Sequence, residues 1–206
     1  MEIIKLEHSG LAVEKDGKIL LCDPVEFTTK LPKFENVTVL ILTHKHDDHF
    51  QPTIVKTLVA ENPALQIFTT EDTASAVAAA ADPTHIIIVK PGDIKDAGGF
   101  HLEFFGGNHA EIREGQIPCQ NIGVVIDGTL ANPGDSFDLP PVQPQILAAP
   151  ISAPWCKIIE TANYVEQVQP KEMIPVHDAV LSDLGKTYNL GWLKMFCDAN
   201  QIELRR

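Results

Sequence analysis

His44-Lys45-His46-Asp47-Asp48-His49 sets three imidazoles and two carboxylates within six positions, directly behind the apolar run Val39-Leu40-Ile41-Leu42-Thr43. Neutral imidazole nitrogens and carboxylate oxygens are first-choice donors for zinc, manganese or iron, whereas calcium asks for an oxygen shell. A lone histidine on a polar loop needs no metal to explain it. Three of them with an aspartate at one strand end have the clustering expected of metal ligands. Alternate side chains of a strand share a face, so His44 and His46 converge on one ion if the chain stays extended past Thr43. Asp48 and His49 then need a turn, and Pro52 ahead of Thr53-Ile54-Val55-Lys56-Thr57-Leu58-Val59 opens a helix with its first donor already removed. The cluster is therefore expected on a strand-to-helix loop.

Other ligand-type residues follow apolar runs later in the chain. His109 stands behind Phe100–Phe105 and the pair Gly106-Gly107, Asp135 in Asn132-Pro133-Gly134-Asp135, and His177 behind Met173-Ile174-Pro175-Val176. His85 and His101 fall within or at the start of strand runs, where packing or surface roles fit better. His8, in Glu7-His8-Ser9-Gly10, reads as structural or as part of a pocket mouth. Asp23 in Cys22-Asp23-Pro24 fits two roles equally, a strand-end turn residue or a carboxylate taking the second N–H of a ligating histidine. Ligand-type residues at four strand ends suit a layered α/β fold, in which loops from several strands gather at one place.

The elements that would carry them are legible in outline. Ile3–Glu7, Gly10–Glu14 and Lys18–Asp23 form an antiparallel meander with an Asp16-Gly17 turn. Val37–Thr43 delivers the cluster, a helix runs from Pro52 to about Ala60, Gln66–Phe68 is a strand, and Thr70-Glu71-Asp72-Thr73 offers capping groups before an alanine-rich helix through Ala81. His85–Val89, Phe100–Phe105, Ile122–Ile126, Thr129–Ala131, Gln145–Ala149 and Met173–Val176 read as strands, while Trp155–Gln167 and Trp192–Asn200 read as helices.

Composition bounds the function. At 206 residues the chain suits one sizeable domain spanning 1–206. A net charge of −12 with no basic run argues against nucleic acid as a partner. No apolar stretch is long enough to span a bilayer, and charges interrupt the first residues, so no membrane association and a cytoplasmic location are expected. Cys22, Cys119, Cys156 and Cys197 lack a C-x-x-C spacing and read as reduced packing residues, with Cys119, in a polar loop, the one placed to approach a pocket. Nothing in the sequence sets the oligomeric state.

His44-x-His46-x-Asp48-His49, followed in order by His109, the Gly134-Asp135 pair and His177, resembles the metallo-β-lactamase superfamily. The resemblance covers essentially the whole chain. It implies an α/β fold, a four-layer αββα sandwich of two mixed β-sheets with helices on both outer faces. It also implies two divalent metal ions, zinc foremost with manganese or iron as alternatives. His44, His46 and His109 correspond to the ligands of one ion, Asp48, His49 and His177 to those of the other, and Asp135 to the bridge. The activity implied is hydrolysis of a small ester, lactone, amide or phosphoester by a hydroxide shared between the metals, with Asp48 orienting it or relaying its proton. The short stretch between Asp135 and His177 leaves no room for the inserted domain with which nuclease relatives grip RNA. In compactness the chain is similar to the bacterial metal-dependent hydrolases related to ascorbate-6-phosphate lactonase. Asn108, Glu111, Arg113 and Trp155 are candidate pocket residues, Trp155 equally a cap on the core. A di-iron redox centre is the alternative the same superfamily offers, although its redox members resemble a version with Glu in place of the second histidine and use a flavin-bearing partner domain. A metal-stabilised binding protein without catalysis is the third reading.

Overall fold

The first sheet begins with an antiparallel meander, β1 (Glu2–Lys5), β2 (Leu11–Lys15) and β3 (Lys18–Cys22), whose second turn places Asp16 and Gly17 in the left-handed region. To its edge the chain adds β4 (Val37–Leu42), β5 (Gln66–Thr69) and β6 (Ile86–Ile88) in parallel, crossing over through α1 (Pro52–Glu61) and α2 (Glu71–Val77). The second sheet repeats the scheme. β7 (Ile94–Ala97), β8 (Phe100–Asn108), β9 (Gln120–Ile126) and β10 (Leu130–Asn132) run antiparallel. β11 (Ile146–Pro150), β12 (Glu172–Val176) and β13 (Glu203–Leu204) then add in parallel, with α3 (Ile158–Val168) and α4 (Asp183–Ala199) as crossovers. In both sheets strand order follows chain order. These features come from a computed structural model that describes residues 1–205.

The two-residue period of a strand divides the apolar side chains among three layers of core. Val39 and Ile41 of β4 join Leu102 and Phe104 of β8, Val124 of β9 and Ala148 of β11 between the sheets. Across that space the rings of Phe68 and Phe104 stack with centroids 5.8 Å apart. Leu40 and Leu42 face the other way, onto Ile54, Val55 and Leu58 of α1 and Val77 of α2. Val125, Leu147 and Ala149 face outward from the second sheet onto Tyr164 and Val165 of α3 and Leu193 and Cys197 of α4. The result is the αββα sandwich expected from the sequence. Nearly continuous apolar runs in β4 and β11 follow from it, because both faces of those strands are covered.

Strand direction collects the loops. β10, β11 and β12 are parallel, and β8 is two antiparallel steps from β10, so the chain leaves all four at one edge of the second sheet. β3 and β4 end together at the facing edge of the first sheet. Two backbone hydrogen bonds join these edges, from Ile122 N to Thr43 O at 3.0 Å and from His177 N to His8 O at 3.1 Å.

Several boundaries differ from the sequence reading. β4 ends at Leu42, and the chain turns at once, with His49 N and Phe50 N both donating to His46 O. The alanine-rich helix stops at Val77. Trp155 lies in a turn before α3, which starts at Ile158 where the Glu160 carboxylate takes the Lys157 N–H at 2.8 Å. α4 is more than two turns longer than expected, starting at Asp183, where Ser182 caps it through Gly185 N. Leu184, Tyr188, Trp192 and Met195 are exposed along it and blur its amphipathic period. β7 and the two-residue β13 were not anticipated. No helix among the described residues is long and apolar enough to cross a membrane.

Candidate metal centre

The seven residues singled out in the sequence meet at the joined edges. His44, His46 and His109 offer donor atoms lying within 4.8 Å of one another, and Asp48, His49 and His177 form a second such group together with His8. Asp135 reaches both. Its Oδ1 is 3.0 Å from His49 Nε2, and its Oδ2 is 3.1 Å from His177 Nε2, 3.3 Å from His109 Nε2 and 3.9 Å from His44 Nε2. Asp48 Oδ2 lies 3.4 Å from His177 Nε2. Asp135 is set in place by its loop. Its N–H donates to Asn121 Oδ1 at 3.0 Å and its carbonyl accepts from Ala110 N at 2.8 Å. Gly134 before it has φ +62°, and a Cβ there would come within 2.8 Å of the Thr43 Cβ.

Hydrogen bonds behind the rings fix which nitrogen faces inward. His109 Nδ1 donates to Ala110 O and His177 Nδ1 to Ser152 O, both at 2.5 Å, and a carbonyl can only accept. His49 Nδ1 donates to Asp23 Oδ2 at 2.8 Å. Thr43 Oγ1 gives its proton to the same oxygen at 2.7 Å and so accepts from His44 Nδ1 at 3.0 Å. In each neutral ring the inward Nε2 is therefore a bare lone pair. His49, His109 and His177 Nε2 are buried and complete no hydrogen bond. His44 Nε2 lies 3.1 Å from His46 Nδ1. Inward lone pairs held by outward N–H donors are the arrangement in which proteins present imidazole to a metal, so the residues present fit one.

The charge states follow from burial against the two carboxylates. Burial, then the neighbouring His49, holds His44 well below the usual histidine range, and burial with His109 beside it lowers His46. Burial also opposes charge on His49, but Asp135 and Asp23 outweigh it and raise that ring well above its ordinary value. The same contest at His177, between burial and the close carboxylates of Asp135 and Asp48, ends at about 9. Asp135 and Asp48 are both held well below the carboxylate range, burial being outweighed by His49 and its neighbours for the first and by His177 and His8 for the second.

Three non-glycine residues here adopt left-handed backbone, His8 (φ 57°), Asp23 (φ 43°) and His177 (φ 60°). Such conformations cost about 1–3 kcal/mol each and persist where surrounding contacts over-determine them. Asp23 is completely buried and takes the Thr43 N–H at 2.8 Å, the Thr43 hydroxyl and His49 Nδ1. Of its two sequence readings, the structure shows the hydrogen-bond partner. Trp155 borders the cluster, its ring centroid 5.7 Å from that of His109 and 6.0 Å from that of His177. Lys45 points away to Asp72 at 3.1 Å, and half-buried Cys119 brings Sγ to 3.6 Å from His46 Nε2. Asn108, Glu111 and Arg113 are exposed. His85 bonds to Leu65 O and His101 to Asp96, both outside the cluster. His8, read from the sequence as structural or at a pocket mouth, is buried inside the second group, a place that no spacing signal gave.

Residues 2–177 match the family described as the beta-lactamase superfamily domain, and the chain belongs to that family. It is 30% identical over 188 residues to Protein Rv0786c of Mycobacterium tuberculosis, covering 88% of this chain and 86% of that one. A solved structure from Parabacteroides distasonis, assigned as a metal-dependent hydrolase, superposes with a TM-score of 0.79 at 19% identity, covering 98% of this chain and 90% of that one. CmlA, a diiron beta-hydroxylase from Streptomyces venezuelae, matches with a TM-score of 0.74 at 11% identity over 99% of this chain and 52% of its own. The two structural likenesses show that the fold is shared with those proteins.

Two outcomes are expected. Asp23→Asn leaves one amide oxygen facing three buried donors, so at least one goes unmet; urea unfolding should show a loss of about 1–3 kcal/mol, and unchanged stability would contradict this role. His177, raised to about 9, stabilises the metal-free fold fully below its unfolded value near 6.5 and loses that contribution as pH rises through 9. The Tm of metal-free protein should therefore fall between pH 7 and 9.5, and a His177→Gln variant should show a smaller fall, the remainder coming from His49, whose ring is raised in the same direction.

Proposed function

We propose that the protein is a hydrolase of a small ester, lactone, amide or phosphoester, working with two divalent ions, zinc foremost. His44, His46 and His109 would hold one ion and Asp48, His49 and His177 the other, with Asp135 between them. The observation that carries this reading is the reach of Asp135, whose buried carboxylate lies beside imidazoles of both groups. A bound pair of such ions supplies Lewis acidity that polarises a carbonyl or phosphoryl oxygen and lowers the pKa of water toward neutrality.

The chain's own groups do the rest. The Asp48 side chain, ionised and 34% exposed, is with His46 one of the two half-buried members of the otherwise buried cluster, and is placed to orient a water or receive its proton. Thr43 and Asp23 hold His44 and His49 in one tautomer, so neither ring needs to reorganise when a ligand arrives. Trp155 walls one side with apolar surface and limits water there. The fold shared with a diiron hydroxylase supports a second, redox reading. His46, where the redox relatives resemble a version with Glu, favours hydrolysis.

The test is a panel of lactones, thioesters, carboxylic esters and phosphodiesters assayed with protein stripped of metal and reloaded with zinc, manganese or iron. Hydrolysis should appear only on reloading, and Asp48→Ala should lower kcat by about 10²-fold or more in protein that still folds. Full activity in Asp48→Ala and His46→Ala would overturn the reading, and oxygen consumption by the iron form without hydrolysis would move it to redox chemistry.

A further inference from the structure

His8 sits in the turn between β1 and β2 with none of its side chain exposed, its ring centroid 4.0 Å from that of His177 and 5.9 Å from that of His49. By distance alone it is a fourth donor for the second ion, since it falls within the same group as Asp48, His49 and His177. Its hydrogen bonding is the reverse of theirs. The backbone N–H of Ala179 donates to His8 Nδ1 at 3.2 Å. A backbone N–H cannot accept, so Nδ1 must carry the lone pair and the proton must sit on Nε2. His44, His49, His109 and His177 all turn an Nδ1–H outward to an acceptor, so that Nε2 is the nitrogen each can offer to a metal. A nitrogen that carries a proton is a donor, not a ligand.

That donor has one carboxylate in front of it. His8 Nε2 lies 3.4 Å from Asp48 Oδ2 and completes no hydrogen bond at that distance. A buried N–H left unpaired is destabilising, and the backbone of His8 is held left-handed as well. Both features are enforced from the same segment, for His177 N donates to His8 O while Ala179 N donates to the ring. The residues that flank His177 thus set the position and the tautomer of His8. A short movement of Asp48 toward the ring closes the bond.

We infer that His8 is a positioning residue whose Nε2–H bonds the Asp48 carboxylate and fixes its orientation toward the second ion, and that His8 is not itself a ligand. The inference rests on the two-ion reading above for its purpose, but the tautomer it requires is a property of the metal-free chain. Donors of this kind to a ligating carboxylate change metal affinity by about 10–100-fold when removed.

Long-range ¹H–¹⁵N correlation spectra of histidine-labelled protein, with His8 assigned by its loss in His8→Gln, read the tautomer directly. The expected result is an Nε2-protonated His8 in metal-free protein and again after two equivalents of zinc. An Nδ1-protonated ring, or loss of the Nε2 proton on adding zinc, would overturn the inference. In zinc-binding measurements His8→Gln, which keeps an N–H at similar reach, should retain the weaker affinity to within about threefold, while His8→Phe should weaken it about 10–100-fold. Equal loss in both variants would make His8 a ligand and contradict the proposal. Fewer than two zinc ions on the unsubstituted protein would count against the two-ion reading instead, and the metal-free spectrum would still decide the hydrogen bond.

Discussion

A buried carboxylate must be neutralised by what surrounds it, and Asp135 is surrounded by imidazoles. His49 and His44 come to it from the first sheet, His109 and His177 from the second. The anion therefore binds the two halves of the sandwich at the edge where their loops meet, and it holds His49 and His177 charged while burial keeps His44 neutral. A divalent cation can replace the protons on those rings without leaving Asp135 uncompensated.

The rest of the architecture supplies direction. Each sheet joins an antiparallel stretch to a parallel one, so strands far apart in sequence release their loops at one edge. Behind the rings stands a second layer of acceptors, Asp23, Ala110 O and Ser152 O, which removes tautomeric choice from His49, His109 and His177. Backbone strain at His8, Asp23 and His177 is concentrated in this layer and at the residues it orients.

Much of this was legible before the structure. The apolar run into His44, the glycines before His109, the Pro-Gly turn before Asp135 and the strand before His177 are local signals, and each marks a strand end. The layer order followed from the family resemblance alone. What escaped the sequence depends on tertiary contact. β7 alternates Ile94-Lys95-Asp96-Ala97 with little burial and is defined by its pairing to β8. α4 presents exposed apolar residues that erase its period. Asp23 looked equally like a turn residue until its three donors were in place. His8 has no spacing to announce it, because its partners, Ala179 and Asp48, lie 171 and 40 positions away in the chain.

The central claim, that Asp135 lies between two metal ions, is met most directly by anomalous diffraction at the zinc edge from zinc-loaded crystals. The account predicts two peaks about 3.5–4 Å apart, one among His44, His46 and His109, the other among Asp48, His49 and His177, with the Asp135 carboxylate between them. A single peak, or peaks that Asp135 does not touch, would contradict it.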